Sequence, residues 1–184
     1  MPSDKETVYQ QLLVVRCQRG DRDAMDALIE HWQPRLFYYV RRLVHQEADA
    51  WDALQKTWIR VFRSLRSVKD PKAFPCWLYT IARNTTIDHT RTRVALRWQS
   101  DSLIESNDPI DARDEPAFDD AEAVHNALGK LSPAHRDVLT LFFLEDLTVE
   151  EIGKVVDAPE GTIKSRLHYA RRALRSVLEE ETKR

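Results

Sequence analysis

The chain has 184 residues, of which 42% are hydrophobic and 32% charged, a composition that excludes collagen-like and fully disordered proteins. Only 4 glycines accompany 8 prolines, too few turn-forming residues for the many tight hairpins of a sandwich or barrel, so an all-α fold is expected. The formal net charge is −2, and it conceals a strong separation of charge along the chain.

Three segments carry this separated charge. Residues 56–97 contain ten basic and two acidic side chains, residues 101–122 contain one basic and nine acidic, and residues 160–175 contain five basic and one acidic. Phosphate groups respond to the local potential within about 10 Å at ~0.1 M salt. The sequence therefore predicts two basic surfaces on either side of an acidic connector, and the near-neutral total does not argue against nucleic-acid binding.

The first half of the chain shows helical periodicity. Apolar residues three and four apart predict amphipathic helices over 8–15 and 25–44, the second capped by Asp21 and bent at Pro34. A third helix is predicted from Glu47 to Leu65, and a fourth from about Lys72 to Arg97, after a break at residues 67–71. The predicted inward faces are Val8, Leu12 and Val15 in the first helix, and Trp51, Leu54, Trp58, Val61, Phe62 and Leu65 in the third.

Residues 99–119 are acidic, contain two prolines and show little periodicity, which predicts an exposed, flexible linker. Helices are then predicted over 120–130, 133–144, 149–156 and 160–180. Ser132 caps the second of these helices, and Thr148 with Glu151 forms a capping box at the third. The chain is therefore divided into a helical domain over 1–98, a linker over 99–119 and a second helical domain over 120–184.

The last two predicted helices are separated by three residues, an arrangement typical of a helix-turn-helix. Ile152, Val155, Ile163 and Leu167 supply the apolar contact between them, and Gly153 permits close approach. The second helix presents Thr162, Lys164, Ser165, Arg166 and His168 where a recognition helix meets base edges, with Arg171 and Arg172 farther along for phosphates. Helix-turn-helix units also pack as protein–protein modules, and DNA binding is the favoured of these two interpretations.

A family resemblance follows from residues in both halves of the chain. Residues 131–171 resemble the fourth conserved region of bacterial sigma factors of the extracytoplasmic-function (ECF) class. Asp49, Ala50, Asp52 and Gln55 resemble the region-two helix that docks on the polymerase clamp, and residues 77–84 with Asp88 and Arg91 resemble the helix beside the −10 element. The resemblance implies a promoter-recognition subunit of RNA polymerase with a region-2-like helical bundle, an acidic linker and a region-4-like helix-turn-helix domain.

The same resemblance implies roles for individual residues. Asp49, Asp52 and Gln55 would contact core polymerase, and the −35 element would be read by Thr162, Lys164, Ser165, Arg166, His168, Arg171 and Arg172. The −10 strand would be captured by Lys69, Lys72, Phe74, Arg83, Asn84 and Arg91, since a single strand needs cations for its phosphates and apolar faces for its bases. Trp77 is either a base-stacking residue or a core residue. Control by an anti-sigma partner is expected.

Two other classes of function remain as alternatives. A stand-alone helix-turn-helix regulator would bind its promoter tightly without polymerase. An enzyme is disfavoured, because the six histidines are scattered and metalloprotease and phosphate-loop motifs are absent. Cys17 and Cys76 fit no zinc spacing and are expected to be core or inert thiols, so no metal or cofactor is expected. Neither a signal sequence nor a membrane-spanning run is present, and we expect a cytoplasmic protein without membrane insertion.

Overall fold

The computed structural model describes residues 4–44, 46–100 and 120–182. Over these ranges the chain forms eight α-helices and no strand, so the all-α prediction is confirmed. The predicted linker lies outside the described residues from 101 to 119, and its first two residues, 99 and 100, instead end a helix. The helices group into two compact units, built mainly on the first four and the last four helices.

The first unit contains α1 (Asp4–Gln18), α2 (Arg22–Leu43), α3 (Glu47–Ser64) and α4 (Phe74–Ser100). Asp21 caps α2 as predicted, its carboxylate accepting from the Ala24 N–H at 3.1 Å. That hydrogen bond, followed by the neighbouring Arg16, lowers the pKa of Asp21. The helix continues through Pro34 to Leu43.

The core of the first unit is aromatic. Trp32 of α2 makes edge contacts with Phe74 and Tyr79 of α4, at centroid distances of 5.8 and 6.2 Å. Tyr39, one to two turns farther along α2, makes an edge contact with Tyr79 at 5.2 Å. All four side chains are at most 2% exposed. Because large rings in edge-to-face contact permit few alternative packings, this cluster fixes α4 against α2.

Two of the predicted inward faces are wrong in part. In α1, Val8 and Leu12 are 63% and 51% exposed, and the buried hydrophobic residues are Leu13, Val14 and Cys17. In α3, Leu54, Trp58, Val61 and Leu65 are buried as predicted, whereas Trp51 and Phe62 are exposed. In α1, the apolar run over 12–15 is continuous, so the sequence does not show which side of the helix faces inward. In α3, the aromatic character of Trp51 and Phe62 is not sufficient to bury their rings.

The second unit contains α5 (Asp120–Gly129), α6 (Pro133–Leu139), α7 (Val149–Val156) and α8 (Glu160–Thr182). The Ser132 hydroxyl caps α6 by accepting from the His135 N–H at 3.4 Å. The helix predicted over 133–144 changes at Thr140 into a π-helical turn that ends at Leu144. In the described part of the chain, no helix is long and apolar enough to cross a membrane.

Candidate nucleic-acid and protein interfaces

The predicted helix-turn-helix is present, and local contacts define the start of its first helix. At the start of α7, the Glu151 N–H donates to the Thr148 hydroxyl at 3.2 Å, and the Thr148 N–H donates to the Glu151 carboxylate at 2.8 Å. This reciprocal pair is the predicted capping box. The four predicted core residues of the motif, Ile152, Val155, Ile163 and Leu167, are all at most 4% exposed.

The turn of the motif depends on a left-handed aspartate and a glycine. Asp157 has a φ of 54° and a ψ of 58°, a conformation that Asp and Asn tolerate better than most side chains. The next N–H, of Ala158, donates to the Gly153 carbonyl at 3.0 Å. A Cβ at Gly153 would lie 2.8 Å from the Ala158 carbonyl oxygen, so the close approach predicted for this glycine is made to the turn itself.

The predicted −35 residues all lie on α8 and differ in exposure. Lys164, Ser165, His168, Arg171 and Arg172 are exposed, and Thr162 and Arg166 are half-buried. Among them, the Lys164 ammonium lies 3.5 Å from the Glu160 carboxylate, an exposed pair one turn apart that contributes little to stability. The N-terminal half of α8 therefore presents cations, hydroxyls and an imidazole, the groups that read base edges and phosphates.

Arg171 has a role that the sequence pattern did not indicate. Its guanidinium carbon lies 5.1 Å from the ring centroid of Phe142 and 5.2 Å from that of Phe143, both in the π-helical turn. A guanidinium at this distance is attracted to the face of an aromatic ring. Arg171 therefore partly covers two rings of its own unit, of which Phe143 remains 54% exposed.

The predicted −10 residues lie in the segment between α3 and α4 and along α4. Two short 3₁₀ turns, Leu65–Ser67 and Pro71–Ala73, form this segment. The Gln18 side-chain amide of α1 donates to the carbonyls of Leu65 and Val68 at 3.1 and 2.8 Å, which ties the segment to α1. The cations Lys69 and Lys72 are exposed on it.

Within α4, the predicted −10 residues separate into exposed and buried side chains. Asn84 and Arg91 are exposed, and Arg83 is half-buried. Phe74 is only 1% exposed and packs on Trp32, so its ring face is not available to a base and we assign it to the core. Trp77 is half-buried, with its ring centroid 5.9 Å from that of Phe74.

The predicted polymerase-binding residues lie on α3. Asp52 and Gln55 are exposed, whereas the Asp49 side chain is 15% exposed and lies 3.3 Å from the Nε2 atom of His89 on α4. The Nδ1 atom of the same imidazole lies 2.9 Å from the Lys56 ammonium. His89 is 33 residues from Lys56 and 40 residues from Asp49 in sequence. Contacts over such separations leave no local sequence signal, so the residue pattern did not identify these two contacts.

Exposed apolar side chains accompany Asp52 and Gln55 on α3. Trp51, Ile59 and Phe62 are 45%, 43% and 39% exposed. The Trp51 ring stacks on Phe37 of α2 with a centroid distance of 4.2 Å, and its indole N–H donates to Glu47 at 3.2 Å. Residues 51, 55, 59 and 62 follow the helical repeat, so the three apolar side chains share one face of α3 with the Gln55 amide.

The described side chains contain no group of three or more His, Cys, Asp or Glu residues that could hold a metal ion. Cys17 and Cys76 are both free thiols and both buried. Burial is the main reason that the pKa of Cys17 is raised to about 11. Cys17 is therefore a protonated, buried thiol at neutral pH.

Comparisons with known proteins cover both units. Residues 28–95 match the family model Sigma-70 region 2, and residues 127–176 match Sigma-70, region 4. The RNA polymerase sigma-H factor of Pseudomonas aeruginosa is 33% identical over 182 residues, covering 92% of this chain and 93% of the relative. The ECF RNA polymerase sigma-E factor of Salmonella typhimurium is 30% identical over 180 residues, covering 92% and 94%.

Solved structures are similar as well. The sigma factor RpoE from Bartonella quintana, in complex with the anti-sigma factor NepR, superposes with a TM-score of 0.68 and 26% identity, covering 84% of this chain and 96% of that one. CnrH, in complex with the cytosolic domain of CnrY, superposes with a TM-score of 0.66 and 22% identity, covering 94% and 98%. The second likeness concerns the fold alone.

Proposed function

The chain belongs to the ECF class of the sigma-70 family of RNA polymerase sigma factors, and from this premise we propose which of its residues perform promoter recognition. As a sigma factor, it directs core RNA polymerase to specific promoters. The single observation that carries the residue assignment is the polar, exposed N-terminal half of α8, held by the capped α7 and the left-handed turn at Asp157. This half of α8 enters the major groove of the −35 element.

Within α8, the proposal separates base reading from backbone contact. Thr162, Lys164, Ser165, Arg166 and His168 lie within the first nine residues of the helix, where a recognition helix meets base edges. Arg172, farther along and exposed, contacts phosphate. Arg171 reaches phosphate from a position over Phe142 and Phe143, so its guanidinium is already ordered before DNA binds.

Alanine substitutions in α8 test this assignment. Lys164→Ala and Arg166→Ala each weaken −35 binding by the holoenzyme by about 1–3 kcal/mol, because each removes a base or phosphate contact. Arg175→Ala is the matched control: it lies on the same helix, and its guanidinium donates to Glu179 at 2.7 Å. Promoter affinity is measured by titration of holoenzyme, and core binding in parallel. Equal losses of core binding and of promoter binding would contradict the separation of roles.

For the −10 strand, the proposal uses the segment between α3 and α4 with the exposed side chains of α4. Lys69 and Lys72 neutralise phosphates, and Arg83, Asn84 and Arg91 add cations and an amide along α4. Phe74 supports this surface from the core, as a neighbour of Lys72 in sequence. A Lys69→Ala and Lys72→Ala double variant slows strand opening, measured by permanganate reactivity of unpaired thymines, and leaves −35 affinity unchanged. Unchanged opening would remove the two lysines from the site.

For polymerase, the proposal assigns Asp49, Asp52 and Gln55 to a contact with a basic surface on core enzyme, where complementary charge orients the two proteins. Asp52→Arg weakens holoenzyme assembly and leaves the fold intact, because Asp52 is exposed. Glu30→Arg, a charge reversal at an exposed position of α2, is the matched control. Assembly is measured by titration of labelled chain with core enzyme. Equal affinities for both variants would exclude Asp52 from the contact.

The proposal also covers regulation and location. Because RpoE of Bartonella quintana was solved with the anti-sigma factor NepR, we assign an anti-sigma partner to this chain too. The chain acts in the cytoplasm, where core polymerase and chromosome lie, and it contributes specificity rather than catalysis. A stand-alone regulator is not retained, because family models match both units of the chain.

A further inference from the structure

His89 of α4 forms a bridge between two residues of α3. Its imidazole Nδ1 lies 2.9 Å from the Lys56 ammonium, and its Nε2 lies 3.3 Å from an Asp49 carboxylate oxygen. His89 is 9% exposed, Asp49 is largely covered, and Lys56 is exposed. Three side chains from two helices therefore form a continuous chain of hydrogen bonds from exposed Lys56 through His89 to Asp49, here called the relay.

The chemistry of the three groups fixes the proton on the imidazole. An ammonium group can only donate hydrogen bonds, so Nδ1 of His89 accepts from Lys56 and carries no proton. The ring proton is then on Nε2, which donates to Asp49. Burial and the nearby Lys56 also lower the pKa of His89, against an opposing effect of Asp52. The relay is therefore directional, from Lys56 through a neutral imidazole to the carboxylate.

We propose that His89 is a positioning residue for polymerase binding, which holds the Asp49 carboxylate in one orientation for core enzyme. The inference rests on the proposed contact of Asp49 with polymerase. A side chain that is already ordered loses less conformational freedom on binding, so the relay raises affinity without touching the partner. The relay also holds the Lys56 ammonium against the His89 imidazole, next to the proposed polymerase contact of Asp49.

Substitutions at His89 separate positioning from a purely structural role. His89→Ala and His89→Leu remove both hydrogen bonds, and leucine refills most of the space so that the helix packing is retained. We expect the dissociation constant for core enzyme to rise about fivefold to tenfold, since a net hydrogen bond and the ordering of one side chain are lost. His89→Gln, whose amide can accept from Lys56 and donate to Asp49, restores most of the affinity. Thr92→Ala, on the exposed face of α4, is the control and leaves affinity unchanged.

A double-mutant cycle between His89 and Asp49 tests whether His89 affects polymerase affinity through Asp49. Dissociation constants are measured for full-length chain and core enzyme, and only variants with wild-type helical content by circular dichroism are used. In the Asp49→Ala background, His89→Leu is expected to have no further effect, because the carboxylate that it positions is gone. Multiplying losses in the double variant, or an unchanged constant for His89→Leu alone, would overturn the inference.

The same affinity measurements distinguish failure of the polymerase contact from failure of the positioning role of His89. If Asp49→Ala and Asp52→Arg both leave the affinity for core enzyme unchanged, the polymerase contact itself is refuted. If both weaken it and His89→Leu does not, only the positioning role fails.

Discussion

Replacement of Arg136 by methionine should destabilise the second unit selectively. Arg136 lies in the first turns of α6 and is 5% exposed. Its Nε donates to the Leu128 carbonyl at 3.0 Å, and its Nη2 donates to the Gly129 and Leu131 carbonyls at 2.8 and 3.0 Å. These carbonyls lie at the end of α5 and just beyond it, where helical N–H donors run out. The Leu128 carbonyl also accepts from the Leu131 N–H at 3.2 Å. One guanidinium thus joins α6 to the end of α5.

The magnitude follows from the number and type of these bonds. A hydrogen bond to a charged group contributes about 1.5–3 kcal/mol. In the variant the Gly129 and Leu131 carbonyls lose the guanidinium donor, and the Leu128 carbonyl keeps only the Leu131 N–H. The three bonds share one side chain and are not additive, and the half-buried Gly129 carbonyl regains some hydration. We therefore expect Arg136→Met to lower the free energy of unfolding by about 3–4 kcal/mol. Small domains are stable by about 5–15 kcal/mol, so the loss is a large fraction of the total.

Two spectroscopic probes make the effect local. Trp32, Trp51, Trp58 and Trp77 lie in the first unit, and the fifth tryptophan, Trp98, lies beyond it. With Trp98 replaced by phenylalanine in every protein compared, tryptophan fluorescence reports the first unit, whereas far-ultraviolet circular dichroism reports helices in both. In urea titrations of the full-length chain, Arg136→Met should shift part of the circular dichroism transition to lower urea and leave the fluorescence transition in place. Arg172→Ala, an exposed arginine of the same unit, is the control. A loss below about 1 kcal/mol would refute the estimate, and an equal shift of both probes would refute its localisation.

Three further predictions concern single side chains. Gly153→Ala should destabilise the second unit by about 1–2 kcal/mol in thermal unfolding, because its Cβ would lie 2.8 Å from the Ala158 oxygen, whereas Gly161→Ala meets nothing within 4 Å and should not. Cys17, with a raised pKa of about 11 and a buried sulfur, should resist thiol reagents in the native protein and react after urea unfolding, and rapid native labelling would contradict its burial. His89 has a pKa held below its ordinary value of 6.5, so the unfolded chain binds more protons near that pH, and stability should fall as pH drops below about 6.5. His89→Gln should show a smaller fall over this range, and identical pH profiles would exclude the histidine as its source.

Local sequence signals predicted the elements of the helix-turn-helix closely. The predicted range 149–156 coincides with α7, and the Thr148 and Glu151 capping box is present. Such signals succeed because they depend on residues within one turn of each other. The same locality explains the cap at Asp21 and the helix start at Ser132.

Faces and cross-helix contacts were harder to predict. The exposure of Val8 and Leu12 was not predicted, because the neighbouring apolar run is compatible with several inward faces of the helix. Packing against α2 selects one of these faces. The burial of Phe74 depends on Trp32, more than forty positions earlier in the sequence. The stacking of Arg171 on Phe142 depends on the π-helical turn, which replaces the end of a helix predicted as regular.

The candidate site shows the same division. Residue type and helical position identified the exposed cations and polar groups of α8, of which Lys164 and Arg172 are examples. The relay through His89 to Asp49 connects helices that are adjacent only in the folded unit. This relay could be identified only from the distances between side chains. Each imidazole nitrogen can donate or accept, and its hydrogen-bond partner determines which it does.

Run-off transcription with purified core polymerase measures whether this chain directs the polymerase to specific promoters. Core enzyme alone, core enzyme with the chain, and core enzyme with the Lys164→Ala variant are incubated with the same genomic fragments, and the 5′ ends of the transcripts are mapped. We expect transcripts that begin at defined positions only when the chain is present, with fewer transcripts from the variant at the same positions. Transcripts that begin at the same positions with and without the chain, or a chain that core enzyme does not bind, would contradict this expectation.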